Sequence, residues 1–193
     1  MKILYLYAHP LADSFHAAVR KAALDGLLAA GHEVDLCDLY AENFNPVLSA
    51  EERRGYHDIP QNRIPVENHV ARLEAAEAIV LSYPTWCFGL PAILKGWFDR
   101  VLLPGVSFNL EDGIATPALT HIRKIAGIST YGRPRWNAIW VGDPPRKAVT
   151  RYLYMITGRK ASVDYLALYD MNRADLHRRS RFLQTVQRRM AAF

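Results

Sequence analysis

The sequence predicts an α/β fold: one domain over residues 1–193, built as a doubly wound, five-stranded parallel sheet with helices on both faces. Three observations predict it. Apolar runs rich in strand formers recur along the chain and are continuous, as in strands buried on both faces. Segments of helical period separate them. No repeat, low-complexity tract or linker breaks the alternation. Composition agrees, with half of the 193 residues apolar and 22% charged, which is globular and not disordered. A chain of this length buries a core without staples.

Each element has its own signal. Residues 2–8 read as a buried strand. A helix follows over 15–30, with Asp13 or Ser14 to cap it and Gly31 to end it. Residues 32–38 read as a second strand. The stretch 40–64 is irregular, although Ser49 and Glu52 have the spacing of a capping box and predict a short helix. A helix is expected over 66–76 and a third strand over 78–83, closed by Pro84. Pro91 stands where the next helix begins, and Ile93, Leu94, Trp97, Phe98 and Val101 recur at helical spacing. Residues 104–120 read as loop, 121–130 as the fourth strand and Gly132-Arg133-Pro134 as its end. Asp143, read as an N-cap before Pro144, opens a helix to about residue 157. A fifth strand covers 162–168 and a last helix 173–190. Right-handed crossovers leave few topologies, and the flavodoxin-like order 2-1-3-4-5 leads.

In such a sheet a ligand sits beyond the carboxyl ends of the strands, where strands one and three diverge. The loop leaving strand one, residues 9–16, runs into a helix N-terminus, where free amides and the helix dipole suit a phosphate. His9, Ser14 and His16 are its donors; an ordinary cap with two solvated histidines explains it equally well. The loop leaving strand three, residues 83–91, carries Trp86 and Phe88, which suit a flat aromatic ligand or simply cover the sheet end. The loop after strand four, residues 129–134, adds Ser129, Thr130 and Gly132, and is otherwise a turn.

These segments resemble a known family. The run 84–101, Pro84-Thr85-Trp86-Cys87-Phe88-Gly89-Leu90-Pro91 and onward to Val101, resembles the strand-three segment of flavin-dependent NAD(P)H:quinone oxidoreductases of the DT-diaphorase type. Ala8-His9-Pro10 with Ser14-Phe15 resembles that family's first loop, and residues 43–53 its segment after strand two. The likeness covers residues 1 to about 132, and residues 141–147 look like shorter bacterial members. It implies a flavodoxin-like fold, bound FAD or FMN, NADPH or NADH as hydride donor, a quinone or other small aromatic acceptor, and a homodimer with the active site at its interface. It places His9, Ser14, Phe15 and His16 on the flavin phosphate side. It places Pro84, Thr85, Trp86, Cys87 and Phe88 with Ser129, Thr130, Tyr131 and Gly132 around the ring, and Phe108 in the substrate pocket. The chain departs from the family at Cys87, where Trp is common, at His16, where Asn is common, near Val70, where a Gln approaches the adenylate, and at Tyr131-Gly132, which replaces Gly-Gly.

The flavin would carry the chemistry, with Tyr131 as proton donor to the quinol or, more simply, as pocket wall. An azo- or nitro-compound reductase on the same flavin, an electron carrier and a regulatory subunit of a membrane transporter are the alternatives. Cys37 and Cys87 have no metal spacing, and His57 and His69 read as solvated, so no metal is expected. No apolar run suffices for a membrane span and no cleavage site follows the first strand, so a cytoplasmic protein is expected. Charge is uneven. Residues 1–122 hold 9 basic and 15 acidic residues and residues 123–193 hold 15 and 4. Without a nucleic-acid motif, that excess points to a small anionic ligand: Arg133, Arg135, Arg146 or Lys147 would steer the phosphates of NAD(P)H.

Overall fold

The computed structural model describes residues 1–193. Strand β1 (Lys2–Tyr7) leads through a loop to helix α1 (Phe15–Ala29) and strand β2 (Glu33–Asp38). Helix α2 (Ala50–Arg54) is the short capping-box helix expected: Ser49 Oγ accepts from the Glu52 amide, and Glu52 accepts from the Ser49 amide. A 3₁₀ turn, Gln61–Val66, precedes α3 (Glu67–Ala75). Strand β3 (Ala78–Thr85) and α4 (Ala92–Val101) follow. Then come β4 (Phe108–Glu111), β5 (Ile114–Pro117), β6 (Lys124–Tyr131) and α5 (Arg135–Trp140). Helix α6 (Pro144–Lys147), a π-helical stretch Ala148–Leu153 and α7 (Tyr154–Ile156) form one winding segment. Strand β7 (Ser162–Leu168), a 3₁₀ turn Met171–Arg173 and α8 (Leu176–Ala191) complete the chain.

The five main strands are parallel in the order β2-β1-β3-β6-β7, which is the expected 2-1-3-4-5 once the hairpin strands are set aside. Register carries Tyr7 beside Ser82 and Thr85 beside Tyr131, so the carboxyl ends of β1, β3 and β6 lie together. β1 and β3 are buried almost throughout, which is why they read as unbroken apolar runs.

Each face of the sheet has its own core. One gathers Leu4, Leu6, Leu81 and Tyr83 with Leu94, Trp97 and Val149. The other gathers Ile3, Tyr5, Val80 and Ile128 with Val19 and Leu27 of α1 and Phe182 and Val186 of α8. α1 and α8 approach closely at Gly26, where an added Cβ would stand 2.4 Å from the Gln187 carbonyl oxygen. α4 meets the segment after β2 in the same way, at Gly96 against Pro46.

Three expectations are corrected, and one further element is present that the sequence did not signal. The loop at 104–120 contains the antiparallel hairpin β4–β5, turning at Asp112-Gly113, both with positive φ. β3 continues through Pro84 to Thr85. Residues 135–140 are helical. Asp143 does not cap α6: its backbone is left-handed (φ 47°, ψ 58°) and its side chain caps nothing.

Candidate functional site

The first loop is closed by its own residues. Ser14 is the N-cap of α1; its Oγ accepts from the Ala17 amide at 3.1 Å and donates to the Leu11 carbonyl at 2.9 Å. His9 Nδ1 accepts from the Leu11 amide at 3.1 Å. The hydroxyl of Ser14 is therefore spent on the cap. The amides of Phe15 and His16 keep no backbone acceptor, which leaves two donors at the positive end of the helix.

His16 sits elsewhere than expected. Its ring is buried, with Nε2 3.1 Å from Ser82 Oγ and Nδ1 3.4 Å from Thr130 Oγ1. It stacks between Tyr7 (5.9 Å) and His9 (6.0 Å). Burial, followed by the neighbouring His9, lowers its pKa to about 3, so the ring is neutral and ties α1 to β3 and β6. It is a support beneath the loop; the amide of the same residue, not the ring, is the free donor at the start of α1.

The second loop is a tight turn. The Trp86 amide donates to the Gly89 carbonyl at 3.3 Å and the Gly89 amide to Trp86 at 2.8 Å. Cys87 (φ 50°) and Phe88 (φ 56°) are both left-handed without being glycine. Such a backbone costs about 1–2 kcal/mol per residue and concentrates at ligand sites. The turn lifts Trp86 to 41% exposure beside the His9 ring (5.9 Å), leaves Cys87 exposed and half-buries Phe88. Pro84 and Thr85 end β3 beneath it, and Thr85 Oγ1 lies 3.0 Å from Ser129 Oγ.

The third loop starts from buried Ser129, Thr130 and Tyr131. Gly132 serves close approach: a Cβ there would meet the Asn172 side chain at 3.1 Å. Tyr131 turns into the protein. Its hydroxyl donates to Asp143 Oδ1 at 2.7 Å, lies 2.7 Å from the Tyr165 hydroxyl, and its ring packs 4.5 Å from that of Tyr169. Tyr165 in turn reaches Tyr83 at 3.4 Å, and Tyr83 donates to the Pro145 carbonyl. Burial first, then Tyr165 and Asp143, push the Tyr131 hydroxyl far above its ordinary value. Tyr131 is thus wall and anchor, and the proton-donor expectation fails on burial. Nothing local joins Tyr83, Tyr131, Asp143 and Tyr165, so sequence reading missed the network; only the strand order brings them together.

Phe108 opens β4 and pairs within its own hairpin region, its carbonyl accepting from the Gly105 amide. It belongs to none of the three loops. Arg133, in the third loop, and Arg135, directly after it, are exposed and make no ion pair. Arg146 lies over the Tyr165 ring at 5.3 Å. An apolar cleft of about 520 Å³ begins at the second turn with Gly89 and Leu90 and continues to Phe98, Pro144, Ala148 and Tyr152. α5 exposes Trp136 (65%), Ile139 (61%) and Trp140 (83%). No helix is long and apolar enough to cross a membrane.

Known proteins resemble this chain in sequence and fold. The rat NAD(P)H dehydrogenase (quinone) 1 is 37% identical over 147 residues, which cover 68% of this chain and 54% of the rat protein. The chain therefore spans about half the length of the mammalian relatives it matches. The solved NAD(P)H:quinone oxidoreductase of Methanothermobacter marburgensis is 27% identical, with a TM-score of 0.81 over 99% of this chain and 98% of that one. Smu.1420 of Streptococcus mutans is 26% identical, with a TM-score of 0.87 over the full length of both chains. A family described by its flavodoxin-like fold matches residues 1–188, and with the strand order, the carboxyl-edge loops and these likenesses the chain belongs to that flavodoxin-like family.

Proposed function

We propose that this protein is a flavin-dependent NAD(P)H:quinone oxidoreductase working by two-electron, ping-pong transfer. The observation that carries the reading is the junction of three loops at the carboxyl ends of β1, β3 and β6, with free helix amides on one side and the strained Trp86-Cys87-Phe88 turn on the other. The names of the rat and archaeal proteins point the same way.

The residues fit a flavin. The Phe15 and His16 amides would hold its phosphate, with His9 alongside. The exposed face of Trp86, with Phe88, would lie along the ring, and the free amides of Cys87 and Phe88 would meet its polar edge. Amides of the 129–132 segment would stabilise charge developing there. Bound flavin, as FAD or FMN, supplies hydride acceptance from NAD(P)H and hydride delivery to the quinone. Arg133, Arg135, Arg146 and Lys147, in the basic stretch from the third loop onward, would attract the donor's phosphates. The exposed apolar face of α5 supports a homodimer, whose interface would complete the acceptor pocket.

The test is steady-state turnover of the purified protein loaded with FMN or with FAD, varying NAD(P)H at several fixed quinone concentrations. Parallel double-reciprocal lines are expected. Absence of quinone-dependent NAD(P)H oxidation with either flavin overturns the reading. The flavin released by heat and separated by chromatography distinguishes FAD from FMN.

A further inference from the structure

Away from the flavin loops, three metal-ligating side chains converge at the carboxyl end of β2. Cys37, in β2, is fully buried; Glu42 stands in the turn that follows; His69 lies on α3. The Cys37 thiol faces Glu42 Oε2 at 3.6 Å and His69 Nδ1 at 3.7 Å, and all three donor atoms lie within 4.8 Å of one another. Zinc binds thiolate sulfur at about 2.3 Å and imidazole nitrogen or carboxylate oxygen at about 2.0–2.2 Å, so tetrahedral angles set its ligand atoms about 3.5 Å apart. The two sulfur separations already match that spacing.

The donors are held in place by their surroundings. The His69 ring meets the Phe44 ring edge-on at 4.8 Å, and the Trp97 indole N–H donates to its Nδ1 at 3.4 Å. Arg72 grips Glu42 through one nitrogen and Asp35 through the other two, at 2.7 Å each. Arg72 does not neutralise the site. Asp35 and Glu42 share that single guanidinium, which leaves one negative charge in excess. A thiolate adds a second, and the total matches a divalent cation. The nearby Arg100 is already paired with Glu52.

We propose that Cys37, Glu42 and His69 form a zinc site, with water as the fourth ligand, that clamps the end of β2 to α3. On binding, the zinc–sulfur bond forms as the S–H bond breaks, and the proton leaves to solvent; no electron moves. Trp97 gives up its bond to His69 Nδ1, which becomes the metal ligand. One sulfur, one nitrogen and one oxygen favour zinc over magnesium or calcium, which take oxygen alone. The site stands apart from the flavin loops and does not depend on the proposed function.

The experiment is a titration of the purified full-length protein with zinc by calorimetry, and with cobalt by absorbance. One zinc per chain is expected. Cobalt should give a sulfur charge-transfer band together with tetrahedral bands to the red of any flavin absorption. Cys37→Ser should abolish the charge-transfer band and weaken zinc binding by about 100-fold or more, and His69→Gln should weaken it comparably. Should Cys37→Ser fail to fold, Glu42→Gln, at an exposed position, carries the test, with a loss of about 10-fold. Zinc should also raise the melting temperature of the native protein, and raise that of the variants less at the same zinc concentration. No zinc uptake, or uptake of unchanged affinity in His69→Gln and Glu42→Gln, overturns the proposal. Zinc uptake by a protein that takes up no flavin would keep this inference and sink the functional reading.

Discussion

His16 shows how one side chain changes role between sequence and structure. Beside a helix N-terminus, a histidine reads as an anion donor. Buried between Ser82 and Thr130 it cannot carry charge, and its pKa falls to about 3. That depression fixes the sign of a stability effect. Between pH 6.5 and 3 the unfolded chain binds a proton on His16 that the folded chain refuses, so stability falls as pH falls through that window. The slope due to this one group is at most about 1.4 kcal/mol per pH unit. Urea midpoints measured from pH 6.5 down to pH 4 should therefore fall more steeply for the native protein than for His16→Asn, whose amide does not titrate. Equal slopes would contradict the burial argument. Tyr131 was legible as pocket wall but not as the centre of a buried hydroxyl network. Its partners Asp143 and Tyr165 lie 12 and 34 residues away: β6–β7 pairing brings Tyr165 near, and Asp143 comes from the turn before α6.

At the scale of elements, the central strands were readable because burial on both faces demands unbroken apolar runs. The misses share a cause. β4 and β5 are four residues each and exposed nearly throughout, so no apolar pattern marks them, and only Asp112-Gly113 signalled a turn. α5 is six residues long and points its large apolar side chains outward, which hides helical period from a search for core positions. The Cys37–His69 pair spans 32 residues and two elements, so ligand spacing in the sequence could not reveal it. Packing between elements makes a sharper claim. Gly26 lets α8 lie directly on α1, and a methyl group there collides with the Gln187 backbone rather than with a flexible side chain. Gly26→Ala should destabilise the protein by about 1–3 kcal/mol. Equilibrium urea unfolding measures this, and a stability gain, as expected for Ala in an uncrowded helix, would contradict the packing.

At the scale of the molecule, charge separates into two regions with different meaning. Residues 172–193 hold six Arg and one Asp, a local excess equal to the net +5 of the whole chain. Most of these arginines lie along the solvent side of α8, whose buried residues are Phe182, Val186 and Met190. The second cluster, residues 123–160, holds nine basic residues and one acidic, and borders the third loop. Its exposed members Arg133 and Arg135 have no acidic partner to neutralise them. Replacing both with Ala should raise KM for NAD(P)H by about 10-fold while changing kcat by less than about 3-fold, the signature of lost uniform binding. Salt should raise KM in the native protein and have little effect in the double variant. A fall in kcat at unchanged KM would place these residues elsewhere in the cycle. The exposed Trp136, Ile139 and Trp140 matter at this scale too, since an apolar patch of that kind predicts a dimer. Sedimentation of the native protein should show one, and Trp140→Glu should shift it toward monomer.

The central claim is that the three carboxyl-edge loops hold a redox-active flavin. Its most direct measurement is the anaerobic visible spectrum of the purified protein after incubation with FMN and FAD and removal of unbound flavin. The account predicts flavin absorption that NAD(P)H bleaches in a single two-electron step and that one equivalent of quinone restores. A colourless protein that retains neither flavin, or a retained flavin that NAD(P)H does not bleach, would contradict it.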